Sequence, residues 1–161
     1  MIRVLAVIAL ATPATAQTFE IDAHWIDRCI GVQDNPMICV GMAAERCTQE
    51  NGGGPNMVLA ACHEAEAAEW DRALNEAYQD LRRLARDREA MDLGYASDNL
   101  GIALQEMQLA WIGFRDATCG NATALAAPFG SAAGPAYHAC MARETARQYF
   151  ELRRMRPLYT R

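Results

Sequence analysis

The spacing of apolar and polar positions is helical almost throughout. From Val58 to Asp92, Trp70, Leu74, Ala77, Tyr78, Leu81, Leu84 and Ala85 recur every three or four residues, and Glu69, Arg72, Glu76, Gln79, Asp80, Arg83 and Asp87 lie mostly opposite. This predicts one long helix with one apolar stripe, ended by Gly94. A second long helix is expected from an N-cap at Ser97 to Cys119, with Leu100, Leu104, Met107, Trp111, Phe114 and Thr118 as its stripe. Residues 120–134 are small and read as a loop. Pro135 opens a last helix to about Met155, with Tyr137, Met141, Thr145, Gln148, Leu152 and Met155 facing inward. Ahead of these, Asp22 caps a short helix through Trp25 to Ile30. Asn35-Pro36 then opens a helix to about Gln49 that stops at Asn51-Gly52-Gly53-Gly54-Pro55. No segment alternates with a period of two, and no repeat of 20–50 residues is present. The pattern predicts an all-α fold, an antiparallel helical bundle with a small helical annex at its N-terminus.

The N-terminus changes the compartment. Met1-Ile2-Arg3 is a short basic head, Val4 to Ala11 is an apolar run too short to span a bilayer, and Ala14-Thr15-Ala16 fits a small-residue cleavage site. Residues 1–16 read as a signal peptide, with residues 17–46 as a cysteine-containing annex and 47–161 as the main helical domain. The expected location is the periplasm or the exterior. Leu59-Ala60-Ala61-Cys62 spells a lipid-attachment box, but Asn51 to Asn56 ahead of it has neither a basic head nor an apolar run. It reads as coincidence, and no other stretch is long enough for a membrane span.

Six cysteines in an oxidising compartment read as three disulfides: Cys29, Cys39, Cys47, Cys62, Cys119 and Cys140. Fifteen connectivities are open. Adjacency of the expected helix ends favours 29–39, 47–62 and 119–140. Zinc is poorly supplied, without C-x2-C pairs. Haem attachment at Cys62-His63 would need a cysteine where Leu59 stands.

Charge narrows the partners. The 161 residues carry a net −5, every base is Arg, and no basic block exists to hold nucleic acid or an anionic bilayer. The excess is uneven: residues 17–80 hold twelve acids against three bases, whereas 81–161 hold eight against eleven. Glu64, Glu66, Glu69 and Asp71 lead the acidic half. They are either a helix face matched inside the fold or a docking face for a cationic partner.

Catalytic chemistry is sparse. His24, His63 and His138 fall in different elements, and the two serines, Ser97 and Ser131, stand at an expected cap and in an expected loop. A Ser–His–Asp set is therefore not indicated. Thiols are committed to bridges, and the pattern points to no cofactor or metal. Gln108, Trp111, Arg115 and Cys119 share one helix face, so a Cys119 bridge would turn Gln108 and Arg115 inward, where they need partners. Asp116, Asn75, Tyr78 and Thr145 are the available ones.

Trp70-Asp71-x-x-Leu74-Asn75-x-x-Tyr78, then Leu104-x-x-x-Gln108-x-x-Trp111-x-x-Phe114-Arg115-Asp116-x-x-Cys119, then Gly130-Ser131 and Cys140 with Thr145 and Arg147, form an ordered set. This set resembles the LprI-type lysozyme inhibitor domain, over about Cys47 to Leu152. The resemblance implies a helical, disulfide-bonded, exported protein, not an enzyme, whose partner is lysozyme or another cationic envelope protein. It implies that the matched residues are fold determinants rather than contacts. Residues 51–57 and 120–134, each enclosed by a favoured bridge, are the loops that could enter a cleft. The alternative is an envelope scaffolding module with a different partner, to which the annex contributes. Oligomeric state is left open by the sequence.

Overall fold

The computed structural model describes residues 19–91 and 99–160. Among the described residues five α-helices run in order: α1 Ala23–Ile30, α2 Met42–Glu50, α3 Asn56–Glu89, α4 Leu100–Ala126 and α5 Ala133–Tyr159. Two short 3-10 turns, Pro36–Cys39 and Ala127–Ala132, join them, and no strand occurs among the described residues. The all-α bundle predicted from periodicity is the observed fold.

The two capping predictions at the start hold. Asp22 accepts a hydrogen bond from the His24 amide at 3.0 Å, and Asn35 accepts from the Met37 amide at 3.1 Å. The helix expected from Pro36 to Gln49 is not continuous, however. Gly41 adopts φ +95°, a conformation that stops the 3-10 turn and lets α2 start afresh. The loop expected over residues 120–134 is also corrected: α4 continues to Ala126, and the reversal is confined to Phe129 and Gly130. Ala and Asn at these positions are compatible with helix, and neighbours on α5 stabilise what composition alone reads as a loop. Gly94 and Ser97, the expected stop and cap, lie outside the described residues.

Consecutive long helices are antiparallel, so α3, α4 and α5 run up, down and up. The most extensive packing joins first to last, α3 to α5, in parallel. Trp70 meets Tyr149 and Phe150, Asp80 meets Arg156, and Arg88 donates to the Leu158 carbonyl. Leu74, Leu81, Leu104 and Leu152 form the core where all three helices meet. The annex shares the core next to it: Ile26 and Ala43 pack with Trp70, Ala142 and Ala146.

Neither α2 nor α4 has a side-chain cap of its own, and α3 supplies one to each. Glu89 accepts from the Gly101 amide at 2.7 Å, at the start of α4. Glu66 accepts from the Gly41 and Ala44 amides at 2.6 and 2.8 Å, at the start of α2. A carboxylate on a helix N-terminus satisfies donors that have no intrahelical partner and meets the positive end of the helix dipole.

Bridges join Cys29 to Cys39, Cys47 to Cys62 and Cys119 to Cys140. Cys62 is fully buried within α3, and its sulfur is spent on Cys47, which leaves no role for the lipid-box reading. The Cys119–Cys140 bridge also sets the rotation of α4. Leu104, Gln108 and Cys119 face inward, whereas Phe114, expected in the buried stripe, is 60% exposed. Tyr137, expected to face inward on α5, is likewise exposed.

Candidate partner-binding surface

The residues matched by the sequence motif divide between the core and the surface of α3, α4 and α5. Trp70 and Leu74 are buried, and the Trp70 indole donates to Glu66 at 3.0 Å. Gln108 is buried and accepts from Gln148 at 3.1 Å; Gln148 is a partner the sequence reading did not consider. Arg115 lies over the Trp111 ring at 4.9 Å, pairs with Asp116 at 2.9 Å and reaches Asp71 on α3 at 3.9 Å. Asn75 donates to Asp71 at 2.9 Å, and Arg82 stacks on Tyr78. Thr145 is buried, and Arg147 pairs with the buried Glu144 at 2.6 Å. Of these contacts, Gln108–Gln148 joins α4 to α5 and Arg115–Asp71 joins α4 to α3; the others lie within one helix.

The acidic docking group is divided by the fold. Glu66 is 0% exposed and holds three donors, so it cannot meet a partner. This corrects the expectation for Glu66. A helix with one apolar stripe hides some of its acids, and only the annex packing reveals which. Glu69 is tied to Arg72. Glu64 and Asp71 are exposed and lie seven residues apart, on one face of α3. Glu64 makes no ion pair among the described residues. A groove between α3 and α5 carries Arg72, Glu76, Asp80 and Arg156 above Leu81 and Leu152. Four of its charges pair with one another: Arg72 with Glu76 at 2.5 Å, Arg156 with Asp80 at 2.7 Å.

The two bridge-enclosed connections meet at one end of the bundle. Asn56 donates to the Ser131 hydroxyl at 2.9 Å, across 75 residues of sequence. A Cβ placed on Gly134 would lie 3.5 Å from that of Ala60, which shows how closely the start of α5 approaches α3. Gly52, Gly53 and Gly54 all take positive φ, and Gly130 takes φ +68° with ψ −119°, a region that is essentially glycine-only. The result is a composite cap, held by Cys47–Cys62 on one side and Cys119–Cys140 on the other. Met57, Leu125 and Phe129 project from it at 76%, 69% and 77% exposure.

The cap has a second property, which charge totals for halves of the chain concealed. Residues 51–62 and 117–142 contain no Asp, Glu, Lys or Arg at all, in a chain that is 22% charged. A scan for charge-free windows would have found both segments. Their adjacency required the tertiary structure.

Behind the cap, α3 and α5 bring His63 and His138 within electrostatic reach, although the sequence placed them in unrelated elements. Burial pushes the His63 imidazole below its usual range; nearby Glu66 opposes the shift and His138 adds to it. The buried Nδ1 of His63 has no hydrogen-bond partner among the described residues.

The described residues thus form a helical, disulfide-bonded frame with a charge-free exposed tip. No helix among the described residues is long and apolar enough to cross a membrane. The family model described as lysozyme inhibitor LprI matches residues 47–152, and the chain belongs to that family. No curated protein and no solved structure matches it.

Proposed function

We propose that the protein acts outside the cytoplasm as an inhibitor that binds and blocks a cationic, lysozyme-type cell-wall hydrolase. The observation that carries this reading is membership of the lysozyme inhibitor LprI family over residues 47–152. Three bridges and no free cysteine among the described residues suit an oxidising exterior. The net charge of −5 suits attraction to a basic enzyme. Rigidity supports inhibition physically, because a pre-ordered surface loses little conformational entropy when it docks.

The test is a turbidity assay on bacterial cell walls, with the oxidised protein titrated against c-type and g-type lysozymes at low and physiological salt. Inhibition near stoichiometric amounts of one enzyme is expected. Absence of inhibition of both, with the protein folded and bridged, would refute the reading and favour the envelope scaffolding alternative. Reversing the charges of Glu64 and Asp71 should slow association several-fold at low salt and little at high salt, because exposed charges steer encounter through a screened field.

A further inference from the structure

We infer that the composite cap formed by residues 51–57 and 125–131 is the surface that enters the hydrolase's glycan cleft, with Phe129 and Met57 as its apolar contacts. This rests on the inhibitory reading above and specifies its contact surface.

Three observations on this end of the molecule converge. First, both segments are free of Asp, Glu, Lys and Arg, over twelve and twenty-six consecutive residues, and meet at one end of the molecule. A cleft that hydrolyses glycosidic bonds holds a pair of carboxyl groups, one needed protonated and one ionised. A carboxylate inserted among them would repel, and any inserted charge would have to be desolvated. A neutral tip avoids both costs.

Second, the tip carries the chemistry of the substrate. Peptidoglycan sugars present acetamido and hydroxyl groups with small apolar faces. The cap presents the Asn56 amide, the Ser131 hydroxyl and the backbone of three successive positive-φ glycines, beside Met57 and Phe129.

Third, its shape is pre-set. Glycine-only geometry at Gly130 places Phe129 at the turn, and the Asn56–Ser131 hydrogen bond ties the two segments together between two disulfides. Exposed Glu64, two residues beyond the charge-free run on α3, leaves acid at the rim, where it attracts a basic enzyme without entering the cleft.

The experiment measures inhibition and direct binding of a c-type lysozyme by the oxidised chain and its Phe129→Glu and Met57→Ser/Phe129→Ser variants. Binding is repeated with chitotriose, a neutral oligosaccharide, filling the cleft. Both side chains are exposed, so folding is unaffected; circular dichroism checks this. Each variant should raise the half-inhibitory concentration by ~30-fold or more, the loss typical of a central apolar contact. Leu109→Ser on the exposed side of α4 should leave it unchanged, and chitotriose should compete with binding. Wild-type inhibition that persists in both cap variants, or binding indifferent to chitotriose, would overturn the cap assignment and leave the inhibitory reading standing. Loss of self-association in the variants with unchanged inhibition, seen by light scattering, would reassign the cap to a second copy of the chain. A wild-type protein that inhibits no lysozyme would overturn both readings.

Discussion

Replacing Glu66 by Ala would strip one acceptor group from three donors at once: the Gly41 amide, the Ala44 amide and the Trp70 indole, at 2.6, 2.8 and 3.0 Å. Glu66 and Trp70 are almost completely buried, so water has little access to replace the carboxylate. An abandoned buried donor costs about 1–3 kcal/mol, and hydrogen bonds to a charged group lie at the upper end of that range. Partial relaxation of the α2 start lowers the sum, so Glu66→Ala should destabilise by about 4 kcal/mol. Glu66→Gln keeps one acceptor oxygen but turns an amide donor toward an amide, and should cost about 2 kcal/mol. For a chain of this length a loss of 1 kcal/mol lowers Tm by about 3 °C, so the drops are roughly 12 °C and 6 °C. Urea unfolding with the disulfides intact reads the free energies. Native-state hydrogen exchange reads the location, because Cys47–Cys62 keeps α2 tethered to α3 even when its first turn opens. The Ala44 amide should lose protection well before the middle of α3 does. A loss below about 1 kcal/mol for Glu66→Ala, with Ala44 still protected, would refute the view that α3 caps the annex through this carboxylate.

Removing the Cys119–Cys140 bridge by a double Ala substitution opens a loop with a sequence separation of 21 and should cost about 3 kcal/mol in thermal unfolding, with fold retained at 25 °C. Gly130→Ala should cost about 1–2 kcal/mol although a Cβ there meets nothing within 4 Å, because the strain lies in its φ of +68° and ψ of −119°; equal Tm values would refute this. His63 is held below its usual range in the folded state, so the unfolded chain binds the extra proton first as pH falls. Its contribution is complete above the unfolded imidazole range, near pH 6.5, and declines as pH drops through the lower folded value. A His63→Gln variant should lose less stability between pH 7.5 and 5 than the parent, and parallel pH profiles would contradict the assignment.

Much of the fold was legible because it is local. Periodicity located the three long helices, since an amphipathic stripe must be written into each helix separately. Asp22 and Asn35 signalled their own starts, because a cap is set by residues two or three apart. The boundaries at Gly41 and Ala126 were not legible. A glycine at a positive φ and a run of small residues each permit more than one backbone, and packing chooses. The ordered motif from Trp70 to Arg147 carried the family resemblance because residue type and spacing are readable in the chain itself.

The sequence by itself determined that the protein is helical and which family it resembles, and it favoured one of fifteen cysteine pairings without deciding it. Each follows from residue type at short or regular spacing. Tertiary structure decided which acids are surface and which are scaffold: Glu64 and Glu66 stand two residues apart on α3, yet one faces solvent and the other caps α2. It also decided that His63 approaches His138, and that Asn56 meets Ser131 to merge two connections into one neutral cap. These depend on α3 and α5 lying side by side in parallel. That pairing is a contact between the first and last long helices, and the lowest-energy way for their stripes to share one core can be read only when both are present together.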